Sequence, residues 1–501
     1  MNAKIELNQN PIVAYLKKSP KEFTMSDIIK YITDNDIKMV NFRYTAGDGR
    51  LKTLNFVITN LEYLEQILSL GERVDGSSLF RYMKANSSDL YVLPRFSTAF
   101  MDPFADIPTI CFLCYYFDKD GNFLESSPEY ILKKASEKFN EVTGGMNFEA
   151  MGELEYYVVG NEEEKFYCEQ QRGYHESSPF SKYEAFRSQA IYYMAQCGCI
   201  IKYAHSEVGN FVMDGKNYEQ NEIEFLPVDV QDAADQLMIG KWVLRTLAQM
   251  YDLDLTFAPK IITGEAGSGM HIHTRVVKNN ENMYVKDGQL SDVAKKVIAG
   301  IVTLASSLTA FANANPTSYF RLVPHQEAPT TICWGDRNRS AMVRVPLGWT
   351  TKNNMCQMAN PQNTTPLPNM MNKQTIEFRC PDGSANVYLL LAGLVVAARK
   401  GFEMQDWQQV AEKTYITTNI HDKENEQKRE ALRELPTCCE ESADLLQEQR
   451  KEYEQYGVFS PALIDGTVSE LKSYKDKSLR EDCKKDVELL KSTVKKYFYC
   501  G

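Results

Sequence analysis

Apolar and polar residues follow each other along the first part of the chain in a pattern that predicts a small α+β domain. Residues 38–58 hold two apolar runs on either side of AGDG, a strong turn signal, and predict a β-hairpin. A helix is predicted over 60–71, where it ends at a glycine. The apolar segments 89–96 and 109–117 predict two further strands. We therefore place the first domain at residues 1–120.

The remaining chain alternates predicted helices and strands and then becomes helical. Ser127 is placed to cap a helix, residues 148–159 predict a strand, and 229–253 predict a long helix with one apolar stripe. Residues 405–501 are helical and heavily charged, which is typical of solvated helix faces. The second domain is accordingly predicted over residues 121–501.

The composition of the chain limits the kinds of binding partner and the cellular compartment that we expect. The net charge of −11 argues against a nucleic-acid partner, which would require a basic surface. The longest apolar run, residues 388–398, is too short to cross a bilayer, so no membrane partner is expected. The beginning of the chain shows no apolar signal core, and the 12 cysteines have irregular spacing. We therefore expect reduced thiols in a cytoplasmic protein.

Carboxylates recur at positions i and i+2 of strand-like segments. Glu153 and Glu155 in GELEYYVV point to the same face of a strand, where their charges repel each other. A cation between them would remove that conflict, and so would a strand face that lies in water. Glu377 and Arg379 have the same spacing. They form either a structural ion pair or a metal ligand beside a substrate clamp.

Two histidines and a cluster of arginines add to this chemistry. His271 and His273 share a strand face directly after a glycine-rich loop. One or two imidazoles among several carboxylates suit Mg²⁺ or Mn²⁺ better than structural zinc. Arg337, Arg339 and Arg344 lie among apolar residues, which predicts partly buried guanidiniums that need anions. Metals held by carboxylates beside arginines are typical of phosphoryl transfer, although the chain has no P-loop and no kinase motif set.

Seven segments, taken in order, resemble the glutamine synthetase family, and most closely its bacterial type I branch. They span roughly residues 35 to 405 and are VDGSSL, GELEYYV, SEVG followed by QNEIEF, GSGMHIH, NPTSYFRLVPHQEAP, NRSAMVRVP and IEFRCPDGSANVYLLLAGL. The resemblance implies an α+β fold with a small N-terminal β-grasp domain. It also implies a large C-terminal catalytic domain with an antiparallel incomplete barrel flanked by helices.

The reaction implied by the resemblance is ATP-dependent ligation of ammonia to the γ-carboxylate of L-glutamate through γ-glutamyl phosphate, a step in nitrogen assimilation. Its products are L-glutamine, ADP and phosphate. The resemblance also implies ATP as a substrate and two or more Mg²⁺ or Mn²⁺ ions in each active site. Glutamate and ammonium are the other expected substrates. We expect a homo-oligomeric ring of ten or twelve subunits with active sites between neighbours.

Residue roles are implied motif by motif. The metal ligands would be Glu155, Glu207 and Glu222 in one site, and Glu153, His271 and Glu377 in the other. The nucleotide phosphates would be bound by His273, Arg339 and Arg344, with Arg339 also catalytic. The glutamate ligands would be Arg321, Gly267 and Arg379, with Arg379 also catalytic, and the ammonium site would be formed by Asp75, Ser78 and Tyr174. Asp75 would take a proton from ammonium, and Glu327 would shield the intermediate from water.

Several positions depart from the family pattern, and they leave the substrates open. They are Ala266 for a substrate-placing asparagine, Phe320 for a lysine, His325 for a glycine, Thr375 for an arginine, insertions at 208–221 and 348–374, and a longer C-terminal helical region. Three functions are therefore weighed. The chain is a glutamine synthetase, a γ-glutamyl ligase for a larger amine such as a polyamine or aromatic amine, or a non-catalytic relative.

Overall fold

The computed structural model describes most of the chain and leaves eight short gaps. The described residues are 6–83, 88–162, 165–324, 326, 328–348, 353–366, 373–420, 422 and 425–501. Glu327, His325 and parts of the 348–374 insertion lie outside them, so their predicted roles stay predictions.

A mixed six-stranded sheet forms the first part of the fold. Its strands are β1 (Met39–Thr45), β2 (Leu51–Val57), β3 (Glu72–Asp75), β4 (Asp89–Pro94), β5 (Phe100–Met101) and β6 (Thr109–Phe117). Strands β1 and β6 are parallel and the other pairs are antiparallel, in the order β2-β1-β6-β4-β3 with β5 beside β6. The accompanying helices are α1 (Pro11–Leu16), α2 (Met25–Asp34), α3 (Leu61–Leu70) and α4 (Gly76–Leu79).

Local signals explain the early elements, and the predicted hairpin and helix are confirmed. The β1–β2 pair turns at the AGDG segment, where Gly49 has a φ of 76°. Asn60 caps α3 by accepting a hydrogen bond from the backbone N–H of Tyr63, and Gly71 ends it with a φ of 70°. The arrangement is the expected β-grasp fold.

A ten-stranded, mainly antiparallel sheet forms the centre of the second part. Its strands are β7 (Asn147–Asn161), β8 (Ile201–Met213), β9 (Lys216–Phe225), β10 (Val228–Asp229), β11 (Asp254–Thr256), β12 (Met270–Lys278), β13 (Glu281–Asn282), β16 (Trp334–Asp336), β17 (Val343–Val345) and β18 (Ile376–Phe378). The main path is β16-β17-β18-β12-β7-β9-β8, with β16 and β17 parallel at one edge. Strands β14 (Val285–Lys286) and β15 (Gln289–Leu290) form a separate ribbon.

Helices flank this incomplete barrel and make up the C-terminal region, as predicted. They are α5 (Pro128–Val142), α6 (Glu184–Gln196), α7 (Val230–Met250), α8 (Asp292–Ala312), α9 (Ser318–Arg321), α10 (Met355–Ala359), α11 (Val387–Glu403), α12 (Trp407–Lys413), α13 (Glu426–Glu430), α14 (Cys439–Glu454), α15 (Pro461–Ser473), α16 (Leu479–Lys485) and α17 (Val487–Tyr497). Three short 3₁₀ turns lie at Pro20–Glu22, Phe96–Thr98 and Gln455–Gly457.

Strand β6 contributes to both large hydrophobic clusters of the chain. Phe112 packs into the cluster of the first sheet, whereas Cys111 and Leu113 pack into the cluster of the second. This follows from the alternation of side chains along a strand. The two parts therefore share a core boundary inside one sheet, and the exact division between residues 120 and 121 stays a prediction.

Helices α8 and α11 pack against each other at the centre of the second part. Helix α8 is long and apolar enough to span a membrane by those criteria, yet 78% of its most apolar window is buried inside the protein. A core helix has these properties too. The run at 388–398 lies within α11 and is buried throughout, as predicted.

Two glycines allow the backbones of α8 and α11 to approach closely. A Cβ atom added at Gly300 would lie far inside contact distance of the carbonyl oxygen of Ala397. One added at Gly401 would overlap the carbonyl oxygen of Lys296. Neither obstacle is a flexible side chain, so the helices would have to separate to accommodate a larger residue.

We predict that Gly300→Ala destabilises the protein. The helix propensity of alanine favours it over glycine by about 1 kcal/mol, but overpacking against backbone costs about 1–3 kcal/mol or more. Chemical unfolding should therefore show a net loss. Gly240→Ala in α7 is the matched control, because its Cβ would meet only side-chain atoms, the nearest 3.1 Å away. Equal stability of Gly300→Ala and wild type would show that α8 and α11 are not tightly packed here.

A buried carboxyl group lies near the start of α5. Glu129 is 2% exposed, and its Oε2 atom has no hydrogen-bond partner among the described residues. Burial raises the pKa of Glu129 to about 7 from an ordinary value of 4.5. Below pH 4.5 the group is protonated in both the folded and unfolded states. As the pH rises to 7 only the unfolded chain ionises, so the free energy of unfolding falls.

We predict that Glu129→Gln flattens this pH dependence. Relative to wild type, the variant should gain stability between pH 4.5 and pH 8, by up to about 3 kcal/mol, because glutamine carries no proton to lose. Urea unfolding at several pH values measures the gain. Glu141→Gln, an exposed position on the same helix, should show none. Parallel pH profiles for Glu129→Gln and wild type would contradict the prediction.

Candidate active site

Strand β7 lies between β12 and β9, and its register places charged residues of three strands side by side. Glu153 is opposite His271 on β12 and Glu224 on β9, and Glu155 is opposite Glu222. Directly opposed residues in a sheet point to the same face with their Cβ atoms about 5 Å apart. The five side chains therefore form one row, which we call the carboxylate row.

Strand β18 extends the carboxylate row from the other side of β12. Glu377 is opposite His273, and on its other side it is opposite Arg344 of β17. Its carboxylate is 1% exposed and lies 3.0 Å from Nη1 of Arg344 and 3.1 Å from Nε of Arg379. An imidazole nitrogen, Nδ1 of His271, is 3.6 Å away. Glu377 thus links Arg344 and Arg379 to the carboxylate row through its contacts with both.

The two glutamates of β7 face the interior of the protein. The alternative prediction, that this strand face lies in water, is therefore wrong. The side chains of Glu153 and Glu155 are 15% and 12% exposed. Glu155 accepts hydrogen bonds from the backbone N–H of Gly269 at 2.6 Å and from Nε2 of Gln220 at 3.2 Å. Its second oxygen lies 3.9 Å from Nδ1 of His271. Each carboxylate keeps an oxygen directed towards the shared centre.

Glu153 contacts both histidines. Its Oε2 lies 3.2 Å from Nδ1 of His271, and its Oε1 lies 2.8 Å from Nε2 of His273. Burial opposes the charge on Glu153 and on His273, but their mutual attraction is stronger. The pKa of Glu153 is therefore lowered well below its ordinary value, and the pKa of His273 is raised.

Glu222 experiences the strongest repulsion in the carboxylate row. It is 6% exposed, and burial together with the charges of Glu153, Glu155 and Glu207 raises its pKa well above the ordinary value. Nε2 of His205 lies 3.0 Å from its carboxylate. Burial lowers the pKa of this imidazole, which favours its neutral form. The neutral histidine beside Glu222 therefore does not offset its repulsion, whereas Glu224 is paired with Lys202, and Glu377 with Arg344 and Arg379.

The donor atoms of the carboxylate row are close enough to share a cation. In three groups the ligand atoms lie within 4.8 Å of one another: Glu153, His273 and Glu377; Glu153, Glu222 and His271; His205, Glu222 and Glu224. Nε2 of His273 is buried beside Oε1 of Glu153, 2.8 Å away. Imidazole nitrogens among several carboxylates fit a divalent ion with mainly oxygen ligands.

A small cavity of about 30 Å³ borders the carboxylate row. Its lining residues are Glu155, Lys260, Ala266, Gly267, His271, Arg321, Gln326 and Ala328. The glycines are needed here for close approach. A Cβ at Gly269 would lie 2.5 Å from Nη2 of Arg321 and 2.9 Å from Nε2 of His271. The glycine-rich loop thus lets the backbone pass directly over the arginine and the histidine.

Arg321 is buried and mostly satisfied by the backbone. Its Nη1 donates to the carbonyl oxygen of Cys380 at 2.9 Å, and its Nη2 lies 3.3 Å from the carbonyl oxygen of Arg379. A further contact of 3.4 Å joins Nη2 to His271. Arg321 therefore contributes mainly a fixed positive charge to the cavity wall, because backbone carbonyl oxygens already accept most of its hydrogen bonds.

The prediction of partly buried guanidiniums is wrong for two of the three arginines around β17. Arg337 and Arg339 are exposed in the single chain, whereas the side chain of Arg344 is 25% exposed. The exposed pair lies in the turn between β16 and β17, where Arg337 has a φ of 56°. Apolar neighbours in sequence belong to the flanking strands and do not bury a turn. The carbonyl oxygen of Arg339 nevertheless accepts a hydrogen bond from Arg379.

Asp75 ends strand β3 of the first sheet, Ser78 lies in the following helix α4, and the two side chains contact each other. Asp75 is the N-cap of α4, and Ser78 Oγ donates to its carboxylate at 2.6 Å. Hydrogen bonds from Ser78, Ser88 and Ser77 lower the pKa of Asp75. Tyr174 is 51% exposed and stacks on His175 with ring centroids 4.2 Å apart. The contacts described within one chain do not join Asp75 to the carboxylate row.

Sequence reasoning missed several residues of the site. Glu224 lies in the motif QNEIEF together with Glu222 but was not predicted as a site residue. Its spacing from Glu222 repeats that of Glu153 and Glu155. Lys260 and Gln326 line the small cavity, and a lysine within the apolar segment FAPKII is a signal that could have found the first. Thr375 departs from the family pattern and lies 2.8 Å from Nδ1 of His273. Phe320 is 8% exposed within α9.

Family models match most of the chain. The catalytic domain of glutamine synthetase matches residues 125–485, and the β-grasp domain of glutamine synthetase matches residues 36–119. Among similar curated proteins, glutamine synthetase from Clostridium saccharobutylicum is 29% identical over 85% of this chain and 90% of its own length. Glutamine synthetase from Pyrococcus horikoshii is 28% identical over 92% and 96%. A 3-hydroxylaminophenol mutase from Cupriavidus pinatubonensis is also 28% identical, over 89% and 94%.

Solved structures agree on the fold. A glutamine synthetase from Plasmodium falciparum superposes with a TM-score of 0.73 at 20% identity, covering 91% of this chain and 96% of the other. A GmaS/ADP complex superposes with a TM-score of 0.72 at 18% identity, covering 93% and 100%. The matched domains, their order and the carboxylate row lead to one conclusion: this chain belongs to the glutamine synthetase family and is a ligase of that family.

Proposed function

We propose that the protein ligates ammonia to the γ-carboxylate of L-glutamate with ATP, through γ-glutamyl phosphate, and releases L-glutamine, ADP and phosphate. The observation that carries the proposal is the carboxylate row, with Arg344 and Arg379 attached to it through Glu377. A row of buried acids joined to arginines is suited to binding cations and phosphate oxygens together. Family membership supports the choice of reaction, since the family depends on ATP and divalent metal ions.

Divalent ions would be held by two neighbouring sets of ligands. Glu155, Glu207 and Glu222 would hold one ion, and the second set is Glu153, His271 and Glu377. When bound, such ions would neutralise the negative charge that develops on the transferred phosphoryl group. The raised pKa of Glu222 is consistent with this role, because a nearby cation would let it ionise. Nε2 of His273 lies 2.8 Å from the carboxylate of Glu153, and we assign His273 to the nucleotide phosphates next to the second ion.

The arginines divide into a fixed pair and an exposed one. Arg344 and Arg379 are oriented by Glu377, and we assign them to the phosphates and to the γ-carboxylate of glutamate. Arg339 is exposed and is assigned to the phosphates and the transition state. Arg321 and Gly267 at the small cavity would receive the α-carboxylate of glutamate. Arg321 contributes mainly charge there, since backbone carbonyls occupy most of its donors.

Asp75, Ser78 and Tyr174 would form the ammonium site, with the first two supplied by a neighbouring subunit of a ring. The lowered pKa of Asp75 keeps its carboxylate ionised and suits it to attract a cation. It also makes the group a weaker base, so we assign capture of ammonium as its first role and proton removal as its second. Glu327 is proposed to shield the intermediate from water.

A larger amine is the second candidate. Ala266 lines the small cavity where the family pattern has a longer polar side chain, and this observation favours a different shape of pocket. Two tests separate these functions. One measures the metal site through stability, and the other measures the acceptor through turnover.

We predict that Glu222→Gln has opposite effects without and with metal ions. At pH 7.5 with a chelator the variant should be more stable than wild type, because the raised pKa of Glu222 means that its ionisation costs stability at this pH. With Mg²⁺ at 100 times its Kd, wild type should gain about 2.7 kcal/mol, and the variant should gain much less. Thermal unfolding measures both.

The matched control for the metal experiment is Glu488→Gln, an exposed position on α17 that should behave like wild type in both conditions. Equal stabilisation of Glu222→Gln and wild type by Mg²⁺ or Mn²⁺ would remove Glu222 from the ligand set.

We predict that phosphate release with ATP, Mg²⁺ and glutamate requires ammonium. Asp75→Asn should lower kcat/KM for ammonium at least about tenfold, because it removes the charge that attracts the cation. Asp118→Asn, a half-buried turn-capping position in the same part of the fold, should leave it unchanged. Release only with polyamines or aromatic amines would establish the second candidate instead. No release with any amine, in a protein that unfolds normally, would indicate a non-catalytic relative.

Mixing two inactive variants tests whether active sites lie between subunits. If Asp75 serves the carboxylate row of a neighbour, co-assembled Asp75→Asn and Glu222→Gln chains should regain part of the wild-type activity. Each variant alone should remain low. Absence of any recovery in mixed assemblies would place Asp75 and Glu222 in the same chain's site or outside catalysis.

A further inference from the structure

A second cavity lies outside the carboxylate row. Its volume is about 500 Å³, and it is formed where the start of α8, the ribbon strand β15, strand β16 and helix α12 meet. It shares no lining residue with the small cavity at Gly267 and Arg321. Pockets of about 300–1,000 Å³ are the usual size for small organic ligands. This cavity is therefore large enough for a ligand of its own.

Aromatic rings form its walls and are held in place by hydrogen bonds. The indole N–H of Trp334 donates to the carbonyl oxygen of Ala411 at 2.7 Å, which fixes the ring between β16 and α12. The rings of Trp334 and Tyr415 lie 4.6 Å apart. The hydroxyl of Tyr415 donates to Oδ2 of Asp336 at 2.9 Å. Trp407 completes the walls, so the aromatic surfaces are preorganised before any ligand arrives.

The polar residues of this cavity are mainly acidic. Asp292, Asp336 and Glu412 line it together with a single lysine, Lys295. Neither Asp292 nor Glu412 forms an ion pair with another described residue, so both carboxylates are available to a ligand. Three acids against one lysine give the lining a formal charge of −2. A negative rim repels phosphates and carboxylates and attracts amines.

One wall already interacts with a cation. The ammonium group of Lys296 lies 5.5 Å from the ring centroid of Trp407. Aromatic faces attract ammonium groups within about 6 Å, most strongly when the ring is tryptophan. Trp334, Trp407 and Tyr415 all line the cavity, so aromatic surface is available to attract a cationic ligand in the same way. Charge and aromatic surface thus favour the same class of molecule.

We propose that this cavity binds a small organic cation, namely a protonated primary amine on an aromatic or alkyl body. The apolar body would lie against the surfaces that Trp334, Trp407 and Tyr415 present to the cavity, and the ammonium group would reach Glu412 and Asp292 at the rim. A bare metal ion would leave most of the volume unfilled. The site is separate from the proposed acceptor site for ammonium or a larger amine, and its test does not depend on turnover.

Binding of phenethylamine to the full-length protein tests the proposal. Isothermal titration without ATP or glutamate would compare it with 3-phenylpropanoate, an anion of similar size. Quenching of tryptophan fluorescence provides a second readout, since two of the four tryptophans line the cavity. We expect saturable binding of the amine, weakened by salt, and no binding of the anion.

Two charge-removing variants locate the site. Glu412→Gln and Asp292→Asn should each weaken phenethylamine binding about fivefold, in the range expected for loss of one exposed charge. Glu281→Gln, an exposed position on the nearby strand β13, should bind like wild type. Circular dichroism checks that the variants fold.

Three outcomes would overturn the proposal. They are no saturable binding up to millimolar amine, equal binding of the anion, and an affinity that neither Glu412→Gln nor Asp292→Asn changes. The last outcome would place the amine elsewhere, for example at the acceptor site, and would leave the proposed ligase function unaffected.

Discussion

The central constraint in this protein is the repulsion among buried carboxylates that the strand register places together. Strand β7 sets Glu153 and Glu155 between acids and imidazoles of its two neighbours, and β18 adds Glu377. A sheet cannot relieve this repulsion by moving one residue, because a shift by one position would turn every side chain to the other face. A lysine and two arginines pair with Glu224 and Glu377, and a bound cation is the simplest partner for the acids around Glu222.

The surrounding structure serves to keep this row rigid and dry. Helices α5, α7 and α8 pack on the other face of the sheet, α11 packs against α5 and α8, and glycines on α8 and α11 permit a close helix pair. On the site face, the glycine-rich loop before β12 brings its backbone within hydrogen-bond distance of Glu155. Rigid packing on one side and a backbone donor on the other hold carboxylates that would otherwise move apart.

Local patterns in the sequence were sufficient for much of the fold and of the site. The alternation of side chains along a strand correctly placed Glu153 and Glu155 on one face, and His271 and His273 on one face. This alternation does not depend on distant contacts. The order of the sequence motifs identified the family. The helix cap at Asn60 and the turn at Gly49 marked where a helix begins and where two strands are joined. These are features that a few neighbouring residues determine.

Features that depend on several distant segments could not be predicted in the same way. The exposure of Arg337 and Arg339 follows from the turn between two strands and not from their apolar neighbours. The aromatic cavity joins residues near 290, 334 and 410, which only the folded chain brings together. Glu224 was missed because two acids in one short motif could not be ranked without knowing which strand would face them.

The contact between Thr375 and His273 has a consequence for how the imidazole can act. A hydroxyl both donates and accepts hydrogen bonds, so its position 2.8 Å from Nδ1 is compatible with either tautomer. A carboxylate or a carbonyl in that place would hold a proton on Nδ1 and leave Nε2 as an acceptor only. With threonine, rotation of one hydroxyl lets Nε2 present a lone pair to a cation at one moment and an N–H group to an anion at another. One side chain can therefore serve two partners of opposite charge.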